Sequence, residues 1–235
     1  MKKLGIIGGM GPMATVYFMQ LVTEMTDADV DQDHIEIFVH SKPDIPDRTR
    51  FILGESNDNP LPQLMEAGRG LIAQGAEVIA IPCITAHFFE KDLKSLTVPC
   101  IDSLEETGIY LKSEGICRAG IMATDGTARS GLFQKALAPY GIECVMPEAE
   151  SQKKVMHLIY ENVKAGRPIE MDKFFEVKEE LTGKGAEVVI LGCTELSVIK
   201  REHDTGPHVL DVLDVLARKS VNMCSRCKAE YDKLI

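Results

Sequence analysis

Gly75-Ala76-Glu77-Val78-Ile79-Ala80-Ile81-Pro82-Cys83-Ile84-Thr85 and Gly185-Ala186-Glu187-Val188-Val189-Ile190-Leu191-Gly192-Cys193-Thr194-Glu195 follow one pattern at an offset of 110 residues. Each opens on Gly-Ala-Glu, runs through a short apolar stretch and reaches a cysteine, so Cys83 superposes on Cys193. A second pair, Leu4–Gly8 and Ala119–Ala123, agrees at an offset of 115 residues. Two related halves of this length imply an internal duplication. Chance likeness between Val/Ile-rich strands is the alternative. A shared Gly-Ala-Glu and a shared Cys within eleven aligned positions weigh against it.

The surrounding pattern is that of two α/β halves. Lys3–Ile7 is an apolar run ending in Gly8-Gly9, as a buried parallel strand and its turn require. Helical spacing covers Met13–Met25 and Leu61–Ala73, with strands expected at Ile35–Val39, Glu77–Ile81 and Val98–Ile101 and a helix at Glu105–Leu111. The pattern then restarts: strand 119–123, helix 128–138, strand 142–145, helices 149–165 and 170–183, and strand 187–191. Asp211 suits the N-cap of a last helix. Strands alternating with helices predict parallel βαβ units. The fold class expected is α/β, two pseudo-symmetric domains with parallel-rich sheets and an active site in the cleft between them.

Composition limits the function classes. The 235 residues carry 26 basic and 36 acidic side chains, a formal charge of −10, with 45% apolar residues and no Trp. The apolar content suits a folded globular chain. No basic stripe is present to neutralise phosphates, which argues against nucleic acid and anionic membranes as partners. The longest apolar runs fall short of the roughly 20 residues of a membrane span. Met1-Lys2-Lys3 is followed only by Leu4–Met10 before Gly11-Pro12, too little for a signal peptide. Seven cysteines, an odd number, then point to free thiols in a reducing, cytoplasmic setting.

Ligands of open α/β sheets bind beyond the carboxyl ends of the strands. Cys83 and Cys193 both fall there, each after an apolar strand and before an expected helix start, where free N–H groups and the dipole favour thiolate. Cys100, Cys117 and Cys144 lie on or beside strands and read as inert core residues. Cys224 and Cys227 have CxxC spacing without a second ligand pair, and no metal site is expected. If a pseudo-twofold axis relates the halves, the two thiols approach one ligand from opposite sides. One then removes a Cα proton and the other returns a proton to the opposite face. Either cysteine alone reads as simple burial; the pair at repeat-equivalent positions reads as function.

Several motifs, in order along nearly the whole chain, resemble the aspartate/glutamate racemase family, and the cofactor-independent aspartate racemases in particular. They are Gly8-Gly9-Met10-Gly11-Pro12 with Ala14-Thr15, Ile45-Pro46-Asp47-Arg48-Thr49, Pro82-Cys83-Ile84-Thr85-Ala86-His87, Ala123-Thr124-Asp125-Gly126-Thr127, Ile159–Gly166 and Gly192-Cys193-Thr194-Glu195. The resemblance implies an amino-acid racemase acting on aspartate or glutamate, without pyridoxal phosphate, other cofactor or metal, in a homodimer. It implies a first domain of 1–103 plus 209–235, with the last helix packing back, and a second of 104–208. It makes Cys83 and Cys193 the acid/base thiols and sets Met10, Thr85, Thr194 and Glu195 around the substrate. Arg48 and Lys164 would receive the side-chain carboxylate, Arg in bidentate fashion. On their own, Arg48 reads as a solvated loop residue and Lys164 as a helix-end cation. Thr124 and Thr127 fit two roles, lining the cleft or capping a helix.

One position departs from the family pattern. Ile84 stands where the family has Asn, and it can offer the substrate only its backbone N–H. Losing a hydrogen bond to a charged group costs about 1.5–3 kcal/mol, or about ten- to a hundred-fold in affinity. A protein of altered specificity, or a non-catalytic module binding a small carboxylate, is therefore the alternative. Hydantoin racemases, maleate isomerases and arylmalonate decarboxylases share the scaffold, but Arg48, Lys164 and both Cys motifs favour amino-acid racemases. A dinucleotide dehydrogenase fits poorly: Gly5-Ile6-Ile7-Gly8-Gly9-Met10-Gly11 lacks GxGxxG spacing, and no acidic residue closes the second strand. His87 receives no catalytic role.

Overall fold

A computed structural model describes residues 1–235, which form two compact units. Met1–Ser103 with Leu213–Leu234 makes the first, and Leu104–Val212 the second. The first unit contains β1 (Leu4–Gly8), α1 (Pro12–Met25), β2 (Ile37–Ser41), α2 (Arg48–Ile52), α3 (Leu61–Gln74), β3 (Val78–Ala80), a 3-10 turn over Ile84–Phe89 and α4 (Glu90–Leu93). Its sheet is parallel, in the order β2-β1-β3. The second unit contains α5 (Ser103–Ser113), β4 (Arg118–Met122), α6 (Asp125–Ser130), α7 (Leu132–Leu137), β5 (Glu143–Val145), α8 (Ala149–His157), a π-helical segment over Leu158–Lys164, α9 (Met171–Gly183), β6 (Val188–Leu191), α10 (Thr194–Glu202) and β7 (Val209–Asp211). Its order, again parallel, is β5-β4-β6-β7. The last helix, α11 (Val212–Cys224), joins the first unit, where Leu213, Leu216, Ala217 and Val221 pack with Leu4, Ile6 and Phe18. No helix is long and apolar enough to cross a membrane.

The Gly-Ala-Glu repeat has the same three tasks in each unit. Gly75 (φ 108°) and Gly185 (φ 90°) turn the chain at the end of α3 and α9 in the left-handed region that favours glycine. The next residue closes the cap: Ala76 N–H donates to the Leu71 carbonyl at 3.0 Å, and Ala186 N–H to the Leu181 carbonyl at 3.1 Å. The glutamate then accepts a backbone N–H from the residue before the strand or strand start. Glu77 Oε2 is 3.0 Å from Lys3 N, and Glu187 Oε2 is 3.2 Å from Cys117 N.

Glycines in the central strands let these helices approach. A Cβ on Gly5 would lie 2.8 Å from Ala76 Cβ and 3.2 Å from Leu71 Cβ. One on Gly120 would lie 2.9 Å from Leu181 Cβ and 3.2 Å from Ala186 Cβ, the equivalent pair. Neither neighbour can swing away, because each contact is a Cβ fixed by its backbone. Gly120→Ala therefore destabilises the protein by about 1–3 kcal/mol through overpacking, read as a lower urea midpoint at unchanged slope.

Five local expectations change. Residues 98–101 contribute only an isolated parallel bridge, Ile79 with Cys100. The expected strand at 35–39 begins two residues later, because pairing with β1 sets Leu4 opposite Ile37 while Ile35 turns into the core. Helix 128–138 is broken, since Gly131 at φ 68° caps α6 before α7 starts. Helix 149–165 widens from α to π at Leu158. Residues 209–211, expected with the first domain, form β7 on the second sheet, fully buried beside β6; α11 starts at Val212, directly after Asp211, as expected of a helix with Asp211 at its N-cap position.

Candidate active site

Each cysteine ends the loop that follows the strand beside the central one, β3 beside β1 and β6 beside β4. Their backbones match: Cys83 has φ −158° and ψ 108°, Cys193 φ −150° and ψ 133°. Both precede a helical start, so first-turn N–H groups point toward the thiol side. The starts differ. Cys83 leads into a helical start of the 3-10 kind over 84–89, whereas Cys193 is the N-cap residue of α10.

In the first unit, Cys83 is 4% exposed and packs with Met10, Ile45 and Ala86. Its Sγ lies 3.4 Å from Thr85 Oγ1. Ile84 is buried. Arg48 opens α2, and its Nη1 donates to the Ile45 and Pro46 carbonyls, both at 3.1 Å. Those bonds hold the guanidinium beside the loop whose Ile45 packs with Met10 and Cys83. The structure thus brings Met10, Cys83, Thr85 and the Arg48 loop together. The solvated-loop reading of Arg48 does not describe a side chain held by two carbonyls.

In the second unit, Cys193 is 9% exposed and donates to Glu195 Oε2 at 2.9 Å. Thr194 Oγ1 reaches the same oxygen at 3.5 Å. Glu195 Oε1 lies 3.9 Å from Lys164 Nζ, which sits 4.2 Å above the Tyr160 ring. Thr194, Glu195 and Lys164 are therefore gathered at Cys193. Thr127 serves in a cap instead: Thr124, N-cap of α6, accepts its N–H at 3.4 Å and donates its own hydroxyl to Thr127 Oγ1 at 3.3 Å.

Burial pushes the Cys193 thiol well up from its ordinary value, and the Glu195 charge and hydrogen bond push it further. The Glu195 backbone N–H and Lys164 oppose this more weakly. The expectation that a helix start favours thiolate does not hold at Cys193, because burial first, and then the carboxylate two residues on, outweigh the single N–H and Lys164. Tyr160 was not anticipated, although its spacing from Lys164 (i, i+4) allows the pairing.

The other thiols lie outside this arrangement. Burial raises Cys100 to about 12, and Cys144 and Cys224 to about 11. Cys117, expected in the core, is exposed just before β4. No group of three or more His, Cys, Asp or Glu side chains is arranged to hold a metal ion.

Residues 7–219 match the family described as Asp/Glu/hydantoin racemase. The chain is 26% identical over 226 residues to the broad specificity amino-acid racemase RacX of Bacillus subtilis (strain 168), covering 93% of this chain and 96% of that one. Its fold is similar to that of the Picrophilus torridus aspartate racemase, with TM-score 0.84, 31% identity and 98% of both chains covered. An aspartate racemase homologue from Pyrococcus horikoshii OT3 follows at TM-score 0.77 and 25% identity, covering 96% of this chain and 100% of that one.

Proposed function

Because the chain belongs to the Asp/Glu/hydantoin racemase family and is a racemase, an isomerase of amino acids, we propose that Cys83 and Cys193 are its two acid/base groups and that its substrate is aspartate or glutamate. The observation that carries this is the repeat equivalence of the two thiols: same place in the sheet order, same backbone conformation, both buried. One sulfur, as thiolate, takes the Cα proton. The other, as thiol, gives its proton to the opposite face, so the pair ends with its roles exchanged. The reaction needs no pyridoxal phosphate on this reading.

Between the two transfers the substrate is an enediolate-like anion on its α-carboxylate. The first-turn N–H groups after each cysteine are the donors suited to that charge. Burial and Glu195 favour the thiol form of Cys193, which suits it to give the proton in the half of the cycle in which Cys83 takes one. Arg48 and Lys164 receive the side-chain carboxylate. Met10, Ile84, Thr85 and Thr194 surround the substrate, and Thr127 contributes through its cap. A homodimer completes the reading, and the seven free thiols suit a reducing, cytoplasmic setting.

Altered specificity is the second reading. Ile84 favours it, as does likeness to a relative described as broad in specificity. Incubation with a panel of L- and D-amino acids in D2O, followed by NMR of Cα exchange, separates the two. Exchange and inversion of aspartate or glutamate support the first; inversion confined to other amino acids supports the second; no exchange with any member overturns the enzyme assignment. On the first reading, Ile84→Asn raises kcat/KM for aspartate by about ten- to a hundred-fold. No increase would show that Ile84 does not limit binding.

A further inference from the structure

The residue four positions after each cysteine is tied to the end of the neighbouring parallel strand or bridge. In the second unit Ser197 Oγ donates to Asp211 Oδ1 at 2.8 Å, with both residues buried, and Asp211 closes β7 beside β6. The corresponding residue in the first unit is His87. It is 3% exposed, its Nδ1 lies 3.8 Å from Asp102 Oδ1, and its Nε2 lies 2.9 Å from Ser103 Oγ. Asp102 is the counterpart of Asp211. Ile79 N–H donates to the Pro99 carbonyl at 2.8 Å, and the repeat-equivalent Val189 N–H donates to the His208 carbonyl at 2.9 Å. Asp102 and Asp211 each follow that carbonyl by three residues.

The link reaches the backbone on which each thiol stands. The His87 ring hydrogen-bonds the Ile81 backbone, and the Ile81 carbonyl also accepts Cys83 N–H at 2.7 Å. Burial lowers His87 below its ordinary value, with Asp102, Glu90 and the Ile81 hydrogen bond opposing and Lys94 reinforcing, a balance that favours the neutral ring. A neutral ring has one donor and one acceptor, which match Ile81 and Ser103. In the second unit Cys193 and Ser197 begin the same helix, with Leu196 N–H donating to the Cys193 carbonyl at 2.9 Å.

We propose that His87 and Ser197 are repeat-equivalent positioning residues, each fixing the turn of its own thiol: Ser197 through Asp211 at the end of β7, and His87 through Ser103, the residue after Asp102 beside the matching bridge. The proposal rests on the two-thiol reading above. The two residues share a task but not a chemistry, a ring in one half and a hydroxyl in the other.

The test uses His87→Gln and Ser197→Ala in the full chain with Cα-deuterated L- and D-aspartate, or glutamate if that is turned over instead. Each variant loses about 10–100-fold in kcat/KM, the scale of a small misplacement of a reacting group. The loss is equal for both enantiomers, because a racemisation has an equilibrium constant of one. The primary isotope effect on kcat/KM, however, rises with one enantiomer for His87→Gln and with the opposite enantiomer for Ser197→Ala. A rise with the same enantiomer in both variants, or in neither, overturns the proposal; a packing defect has no reason to choose a hand.

A second readout does not require turnover. With cysteine labelled at 13Cβ, the pH titration of Cys83 moves in His87→Gln while that of Cys193 stays, and the reverse holds in Ser197→Ala. Movement of both or neither thiol in each variant counts against the assignment. Wild-type protein that exchanges no Cα proton, yet shows these separate titration shifts, refutes the racemase reading and leaves the positioning pair standing. If His87→Gln does not fold, Ser103→Ala, which removes only the hydroxyl at Nε2, takes its place.

Discussion

Cys83→Ser and Cys193→Ser each lower inversion of the substrate by about 10²–10⁴-fold, measured by polarimetry or by NMR with a chiral shift reagent. On the proposed mechanism both thiols are required in every turnover, one to take a proton and one to supply it. Serine is too weak an acid and too weak a base in this setting to replace either. The double variant is no more impaired than the worse single one, because groups acting as a unit are not additive. Unchanged far-UV dichroism keeps the comparison clean. Robust inversion by either single variant would end the two-thiol mechanism.

Glu195→Gln lowers kcat/KM by about 10–100-fold, the worth of a hydrogen bond to a charged group, and moves the alkaline limb of the pH profile toward lower pH. The sign follows from the neighbours of Cys193. Burial first, and then the Glu195 charge and hydrogen bond, hold that thiol protonated. The amide keeps a hydrogen-bonding oxygen but removes the negative charge, so Cys193 loses its proton at a lower pH. Once both sulfurs are thiolates no acid remains, and activity falls. A profile whose alkaline limb stays in place, or moves upward, would show that Glu195 does not govern the acid of the pair.

Some features were readable from the chain because they are local and repeated. Gly75 and Gly185, Ala76 and Ala186, and Glu77 and Glu187 perform matched tasks, so their likeness in sequence reports a likeness in structure. The same repeat picked out Cys83 and Cys193. Other features depend on partners that no local pattern names. Val209–Asp211 is a strand only because β6 lies beside it; the local pattern shows its aspartate before the last helix but not the strand that the aspartate closes. Residues 98–101 carry as good a strand signal yet make a single bridge. The break at Gly131 before α7 is not legible in the chain, because a lone glycine within helical spacing does not by itself fix a left-handed cap, and the π-helical widening at Leu158 has no counterpart in the apolar spacing. Within the site, Glu195 is two residues from Cys193 and its contact is a short-range one. The approach of His87 to Asp102 spans 15 residues and arises from the parallel bridge at Ile79, which spacing alone does not encode.

Cys83 faces a hydroxyl and Cys193 a carboxylate, so the two halves are not chemical mirror images although their substrates are. In achiral water the left- and right-handed forms of an amino acid have identical free energy. On the proposed reaction, this imbalance cannot enrich either hand, however unequal the two neighbourhoods become. Its only outlet is timing: which hand meets the protein already armed, and which must wait for the sulfurs to trade their hydrogen.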